Sequence, residues 1–400
     1  MKRVVNNFPV SGGVAVVGPD AGANAGTQIL NAINLSASNS EQDIGRYIDP
    51  LFSDAVIRWQ KQHGRHTLPW QNTRDPYRVW LSEIMLQQTQ VTAVIPYYQK
   101  FMARFPDLQS LAEAASEDVM SHWAGLGYYT RARNLHRCAQ RVMAEHGGIF
   151  PRDPLLLEDL PGIGRSTAAA IAAFSYGVRA AILDGNVKRV FARVFGIDGY
   201  PGTKLIEVPM WQRAVALLPE QGVESYTQGL MDLGATLCTR SKPSCTLCPL
   251  AQRCVALATN RVAELPVRKP KKTIPEKQTG MLVIVDRDQV LLEQRPDSGI
   301  WGGLLSLPEF DMEQDILSSV TRLSAPFGVV ASCEPLQSFQ HVFTHFKLQI
   351  SPFEIKLERR LNMAAQSSYI WYSAEKLMDA PLPAPVKKLL LAVFRQNDLF

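Results

Sequence analysis

The sequence of 400 residues lacks any apolar run long enough to cross a membrane, since a spanning helix needs about 18 or more uncharged residues. It also lacks a convincing secretory signal, because Pro and Gly interrupt the weakly apolar stretch MKRVVNNFPVSGGVAVVGPDAG. Only six cysteines occur, which excludes a disulfide-rich scaffold and favours a reducing compartment. We therefore predict a protein with no membrane partner.

A strong excess of charge of one sign is also missing. The formal net charge of +5 permits an acidic partner such as nucleic acid without requiring one. Residues 1–45 show no hydrophobic periodicity and are rich in Asn, Ala, Gly and Ser, which predicts a disordered tail.

The rest of the chain changes character once. Residues 46–265 repeat apolar side chains at helical spacing, as in YRVWLSEIMLQQTQVTAVIPYYQKF. The Pro- and Lys-rich segment 266–278 is predicted as a linker. Residues 279–400 contain, near their start, MLVIVDRDQVLLEQRP, which indicates two strands around a polar turn. The chain is thus predicted to be multidomain, with an all-α region followed by a smaller α/β domain.

Four of the six cysteines lie within the 17 residues CTRSKPSCTLCPLAQRC. They are Cys238, Cys245, Cys248 and Cys254. The loop is too crowded for two relaxed disulfides, so the thiols are interpreted as metal ligands. Zinc is one reading, because C-x2-C is half of many zinc sites. All-thiolate ligation with irregular spacing suits a 4Fe–4S cluster at least as well, and the residues alone leave both open. Cys138 and Cys333 are predicted to fill cores.

The stretch LPGIG followed by RSTAAAI predicts a tight hairpin between two helices. Backbone N–H groups around Gly162 and Gly164, at the N-terminus of the second helix, are suited to holding a phosphate without a side chain. This pattern is typical of a helix-hairpin-helix that grips a DNA backbone independently of sequence. An ordinary helical corner is the plainer alternative.

Two carboxylates stand where they suit cleavage of a glycosidic bond. Asp184 lies between an apolar run and a helix, so it is either only an N-cap or a carboxylate that stabilises a cationic sugar. Glu83 lies in an apolar helix, so it is either paired or held protonated by desolvation, which suits a general acid.

Side chains near these carboxylates are predicted to contact DNA. Gln87 and Gln88 follow Glu83, and amides can read or replace bases. In GLGYYTRARNL, Tyr128 or its neighbour is suited to wedging between bases, while Arg131 and Arg133 are predicted to reach phosphates.

Together these motifs resemble the endonuclease III superfamily of DNA glycosylases. Within it, WLSEIMLQQTQV, GLGYYTRARN, ILDGNVKRV and QGLMDLGATLCTRSKP resemble the adenine DNA glycosylase (MutY) family, over roughly residues 50–400. The resemblance implies a helix-hairpin-helix core over 46–265 with a 4Fe–4S cluster on loop 238–254 and a Nudix (MutT-like) domain over 279–400. The cluster would brace a loop that presents Arg240 and Lys242 to DNA.

The resemblance also implies an activity, namely base-excision repair that hydrolyses the N-glycosidic bond of adenine opposite 8-oxoguanine or guanine. Glu83 would protonate the purine at N7, and Asp184 would stabilise the oxocarbenium-like sugar. The partner is double-stranded DNA carrying that mispair, and the enzyme is expected to be a monomer. The expected location is cytoplasmic with the nucleoid, or nuclear or mitochondrial in a eukaryote.

One position separates subfamilies on chemical grounds. Bifunctional relatives carry a lysine nucleophile where this chain has Ser166, and a hydroxyl cannot form an imine, so base removal without an efficient lyase step is expected. Lys188 is expected to trap an opened sugar only slowly. The full set of predicted DNA and base contacts is Gln87, Gln88, Tyr128, Gly162, Gly164, Ser166, Asn186, Lys188, Gln228, Thr344 and His345.

The C-terminal domain lacks the glutamate array of working Nudix hydrolases, REx2Ex2EE, so no nucleotide hydrolysis is expected. Its FTHF stretch at 343–346 resembles the family's 8-oxoguanine recognition loop, with Thr344 and His345 as the contacts. Two other functions compete with this reading. One is a bifunctional glycosylase of oxidised pyrimidines, and the other is a lesion-binding module with an inert pocket.

Overall fold

The computed structural model describes residues 45, 47–270, 274–296, 299–343, 345–361 and 368–397. By its internal contacts the chain divides into Met1–Ile48 and Asp49–Phe400. The predicted tail 1–45 lies outside the described residues except for its last position. All further description concerns the second unit.

The first part of this unit is helical, as the periodicity predicts. Its helices are α1 (Pro50–His63), α2 (Pro76–Leu86), α3 (Val91–Arg104), α4 (Leu108–Ala112), α5 (Ser116–Trp123), α6 (Thr130–His146), α7 (Pro154–Glu158), α8 (Arg165–Tyr176), α9 (Gly185–Val194), α10 (Lys204–Ala216), α11 (Val223–Asp232) and α12 (Val255–Ala258). Three of them, α1, α2 and α7, begin at an Asp-Pro pair whose aspartate accepts a hydrogen bond from the first turn. This pair combines an N-cap oxygen with a proline whose missing N–H costs nothing at that position.

Between α2 and α3 the helical pattern of the sequence is broken. Residues 87–90 form a turn in which Gln88 has φ 57°, although the apolar spacing runs through it. The predicted helical pattern is thus divided between two helices, α2 and α3, at this point. The break exposes Gln88 just after the helix that carries Glu83.

Two hydrophobic clusters hold the helices together. The first packs α2, α3, α5 and α6 around the fully buried side chains of Trp80, Phe101 and Trp123. The second packs α1, α8, α9 and α11 around Phe52 and Phe191. Because α8 contributes small buried alanines to both clusters, its N-terminal hairpin is held rigidly between them.

The second part of the unit is a mixed sheet. Its strands are β1 (Glu276–Asp286), β2 (Gln289–Gln294), β3 (Leu305–Ser306), β4 (Glu309–Phe310), β5 (Gly328–Pro335), β6 (Phe339–Val342), β7 (Lys347–Arg360) and β8 (Tyr369–Ser373), and its helices are α13 (Ile316–Ser324) and α14 (Ala384–Asn397). Strands β1 and β7 run parallel, and the other pairs are antiparallel. The predicted turn between the first two strands is confirmed at residues 287–288.

Strand β1 begins inside the segment predicted as a linker. Glu276 pairs with Lys347 in the parallel ladder, and the two side chains also form a salt bridge of 2.8 Å. The pairing partner is distant in sequence, so local composition does not reveal this part of the strand. No helix in the described part of the chain is long and apolar enough to span a membrane.

Candidate active site

A hairpin between α7 and α8 begins the site. Gly162 has φ 80°, and a Cβ there would lie 2.8 Å from Asn134 Cβ, so both the backbone conformation and the space require glycine. Gly164 is the N-cap of α8 and has open space around it. The hairpin therefore presents the backbone N–H groups at the start of α8, as the sequence pattern predicts.

Asp184 caps helix α9. Its Oδ1 accepts a hydrogen bond of 2.8 Å from the Val187 N–H. The residue before it is held as well, because Leu183 N donates to Ser166 Oγ at 2.7 Å. Burial raises the pKa of Asp184, while the Val187 N–H and the charge of Arg189 oppose that rise. The carboxylate is thus fixed from both sides.

Glu83 lies on α2 and lines a cavity of about 620 Å³. Burial and, to a lesser extent, the charge of Asp184 raise its pKa to about 8. Among the described residues, none donates a hydrogen bond to its carboxyl group. At neutral pH the group is therefore protonated and has a proton to give.

Polar side chains form much of the rest of this cavity. They include Arg65, His66, Asn72, Arg74, Ser82, Glu224 and Gln228. Asp232 stands behind them with no exposed surface. It forms a salt bridge of 2.7 Å with Arg65 and accepts a hydrogen bond of 2.8 Å from Gln228 Nε2. Sequence patterns do not identify the Arg65–Asp232 pair, because 167 residues separate its members.

Gln88 and Tyr128, predicted to enter the DNA, lie in two separate turns. Each has a left-handed backbone, with φ 57° and 50°, and Tyr128 is 50% exposed. Non-glycine residues in this region are uncommon and cluster at functional sites.

The prediction that Arg131 reaches phosphates is wrong. Its side chain is buried and donates to Ile84 O, Met85 O and Thr89 Oγ1, and it also lies over the Tyr128 ring. It joins the end of α2 to the Tyr128 turn. Arg133, two residues farther along α6 and on a different face of it, donates to Gly302 O and Thr130 Oγ1.

Three other predicted contacts take part in hydrogen bonds within the protein. Gln87 Nε2 donates to Gly162 O at 3.4 Å, so it links α2 to the hairpin. Asn186 Oδ1 accepts from Arg189 at 2.8 Å. Lys188 Nζ forms a salt bridge of 2.6 Å with Glu207.

The four clustered cysteines follow α11, after a π-helical turn Leu233–Leu237. All four are free thiols and line one small apolar cavity. In the described residues no three His, Cys, Asp or Glu side chains converge on a point that would hold a single metal ion. Four thiols around one cavity are a donor set that either a zinc ion or an iron–sulfur cluster can use.

Two arginines of α9 connect this loop to the Asp184 helix. Arg193 donates to Thr239 O at 2.7 Å and approaches Cys238 Sγ at 3.4 Å. Arg189 donates to Cys238 O at 2.7 Å as well as to Asn186. The side chains of Arg240 and Lys242 are exposed on the loop, as predicted.

In the α/β part, Thr344 lies outside the described residues. His345 is exposed, beside an aromatic cluster in which Phe343 and Phe346 stack with ring centroids 4.7 Å apart. Trp301 also packs on Phe343, at 5.4 Å. The exposed histidine is thus adjacent in the chain to a cluster of packed aromatic rings.

Comparison with known proteins agrees with this architecture. Residues 81–214 match the model of the HhH-GPD superfamily base excision DNA repair protein, and residues 280–392 match a NUDIX domain. The fold and the site thus define a helix-hairpin-helix DNA glycosylase.

Three curated relatives identify the family within this class. The adenine DNA glycosylase of Buchnera aphidicola subsp. Acyrthosiphon pisum is 38% identical over 85% of this chain and 97% of its own length. Those of Mus musculus and Homo sapiens are 32% and 31% identical, over 87% and 89% of this chain and 78% and 76% of theirs. The chain belongs to the adenine DNA glycosylase family.

Proposed function

We propose that this enzyme releases adenine from double-stranded DNA in which adenine is mispaired with 8-oxoguanine or guanine. The observation that carries the proposal is the carboxyl of Glu83, held protonated in a cavity of about 620 Å³ and close enough to Asp184 to feel its charge. A flipped adenine in that cavity would meet the Glu83 acid, with the Asp184 carboxylate near enough to act on the attached sugar.

Each carboxyl group has a separate task in the proposed reaction. Glu83 transfers its proton to N7 of adenine, so that the bond between N9 and C1′ breaks and its electron pair stays with the base. Asp184 stabilises the positive charge that develops on the sugar. Water then adds to C1′ and releases a proton, which leaves an abasic site and free adenine.

The surroundings of Ser166 and Lys188 support base release without strand cleavage. The Ser166 hydroxyl oxygen accepts a hydrogen bond from Leu183 and carries no amine. The Lys188 Nζ is engaged in a salt bridge of 2.6 Å with Glu207. Of the two residues only Lys188 has an amine that could form an imine with the abasic sugar, and it would first have to leave its salt bridge with Glu207.

We assign 8-oxoguanine reading to the C-terminal domain, with Thr344 and His345 as its contacts and 279–400 as its bounds. The hairpin around Gly162 and Gly164 would contact the DNA together with Gln87 and Asn186. Gln88 and Tyr128 would fill the gap that the flipped base leaves. A monomer is expected to be sufficient for these contacts.

The test of the function is a glycosylase assay with the whole protein. Duplexes carrying adenine opposite 8-oxoguanine, guanine or thymine should yield free adenine from the first two and little from the third. The product strand should break only after alkali or heat. Strand breakage without such treatment would support the bifunctional alternative, and tight binding without adenine release would support the inert lesion-binding module.

We further propose that Cys238, Cys245, Cys248 and Cys254 hold a 4Fe–4S cluster. When bound, the cluster supplies iron–thiolate bonds that brace the loop carrying Arg240 and Lys242, and it takes no part in base release. The arginine contacts from α9 to this loop support that structural role.

Natively purified protein should therefore contain iron and absorb at about 400 nm. Cys248→Ala should lower iron content and duplex affinity together, whereas Cys333→Ala, which changes a half-buried cysteine of the sheet, should alter neither. Stoichiometric zinc in place of iron would contradict the assignment.

A further inference from the structure

Asp232 is a buried carboxylate that the reaction proposed above does not use. It lies at the end of α11 with 0% of its surface exposed. The Arg65 backbone N–H donates to its Oδ2 at 2.9 Å, and the Arg65 Nε donates to its Oδ1 at 2.7 Å. The backbone at Gly64 also lies close to this carboxylate, since a Cβ there would lie 3.0 Å from Asp232 Oδ2. The segment at residues 64–65 thus fixes the carboxylate that α11 carries.

The same carboxylate orients an amide in the cavity. Gln228 lies one helical turn before Asp232, and its Nε2 donates to Asp232 Oδ1 at 2.8 Å. An ionised carboxylate only accepts hydrogen bonds, so the amide must direct its NH2 group, not its oxygen, toward Asp232. The amide oxygen of Gln228 consequently faces away from Asp232.

That oxygen is available to a ligand. Gln228 is half-buried and lines the same cavity as Glu83. Within the described ranges of the chain, no residue donates a hydrogen bond to Gln228 Oε1. A half-buried acceptor without a protein donor in a ligand-sized cavity is ready to take a donor from the ligand.

We propose that Asp232 is a positioning residue for base selection, which fixes the Gln228 amide so that its oxygen accepts a hydrogen bond from the exocyclic amine of the base. The proposal rests on the proposed function, because the ligand is the flipped base. Adenine carries an NH2 group at C6, whereas hypoxanthine and guanine carry an oxygen there, which would face the Gln228 oxygen without a proton between them. Arg65 neutralises Asp232, so this arrangement adds no net charge beside Glu83.

The test compares rates of base release under single-turnover conditions from two duplexes, with adenine or hypoxanthine opposite 8-oxoguanine. Because the two bases differ as leaving groups, the quantity to compare is the adenine-to-hypoxanthine rate ratio of each variant relative to wild type. Gln228→Met and Asp232→Asn should each lower this ratio by about tenfold, the value of one hydrogen bond of about 1.4 kcal/mol. The double variant should lower it no further than either single one.

Asp198→Asn is the matched control, since it removes a carboxylate paired with Arg261 on the surface. It should keep the wild-type ratio. An unchanged ratio in Asp232→Asn, or in Gln228→Met, would overturn the proposal.

A second variant covers the case in which Asp232→Asn does not fold. In Gln228→Glu, a proton shared with Asp232 leaves a carboxyl oxygen as the acceptor toward the base. The ratio should then stay within about threefold of wild type. A fall as large as that of Gln228→Met would show that the orientation of the acceptor does not select the base. If the wild-type enzyme releases neither base, the proposed function has failed. If it releases both bases and all variants keep the wild-type adenine-to-hypoxanthine rate ratio, only the role of Asp232 is rejected.

Discussion

Replacing Asp184 by asparagine is expected to abolish adenine release, with a loss of roughly a thousandfold or more in the single-turnover rate. Asparagine keeps an oxygen that can accept the hydrogen bond from the Val187 N–H, so α9 should still begin at the same residue. It removes the negative charge that stabilises the developing sugar cation. The loss should therefore appear in the rate and not in duplex affinity or in the melting temperature.

Another capping aspartate provides the control for this experiment. Asp315 caps α13 in the α/β part, and its Oδ2 accepts from Ser318 N at 2.8 Å. Asp315→Asn makes the same chemical change at a helix start outside the active site, and adenine release should stay at the wild-type rate. An Asp184→Asn enzyme within about tenfold of wild type would reduce Asp184 to a structural cap.

The role of Asp184 shows what could be predicted from sequence. The apolar run before Asp184 and the helical pattern after it predict both an N-cap and a carboxylate at a cleft, and they leave the two readings as alternatives. In the structure the N-cap is observed, and the same geometry serves the proposed catalytic role. The cap holds one oxygen, and burial raises the pKa of the carboxyl group.

What sequence patterns missed depends on contacts between distant segments. Arg131 follows a turn with two tyrosines, and the sequence around it suggests a phosphate contact. The side chain is buried instead, because the carbonyl groups at the end of α2 need hydrogen-bond donors. Asp232 lies in an ordinary helical stretch and becomes a buried ion pair only when α1 ends beside it. Short motifs predict the reacting groups, whereas the residues that orient those groups come from elsewhere in the chain.

The second large effect concerns Glu83 and pH. In the wild-type enzyme the rate of adenine release should fall as pH rises through the pKa of Glu83, about 8, because only the protonated acid can supply the proton to the base. It should also fall at low pH, since the raised pKa of Asp184 brings its protonation closer to neutrality. Glu83→Gln should be slower by roughly a hundredfold or more and should lose the alkaline fall in rate.

The same substitution should change stability in the opposite direction. The pKa of Glu83 is about 8 in the folded protein and 4.5 as the ordinary value, so the folded state binds a proton that the unfolded state has lost between these values. Stability that is present below the lower pKa is therefore lost progressively as pH rises through the higher one. Glutamine does not ionise, so Glu83→Gln should melt increasingly above wild type between about pH 5 and about pH 9.

Thermal melting of wild type and Glu83→Gln across this pH range tests whether the pKa of Glu83 is raised in the folded protein. Glu358→Gln, which makes the same chemical change at an exposed position of β7, is the control. A difference for Glu83→Gln that did not grow with pH would mean that Glu83 is ionised in the folded protein. It would then have no proton for adenine, and the assignment of Glu83 as the acid and Asp184 as the stabilising carboxylate would be wrong. Because the rate and the stability depend on one protonation, the alkaline fall in the wild-type rate should be centred at the pH where the gap in melting temperature stops widening, about 8.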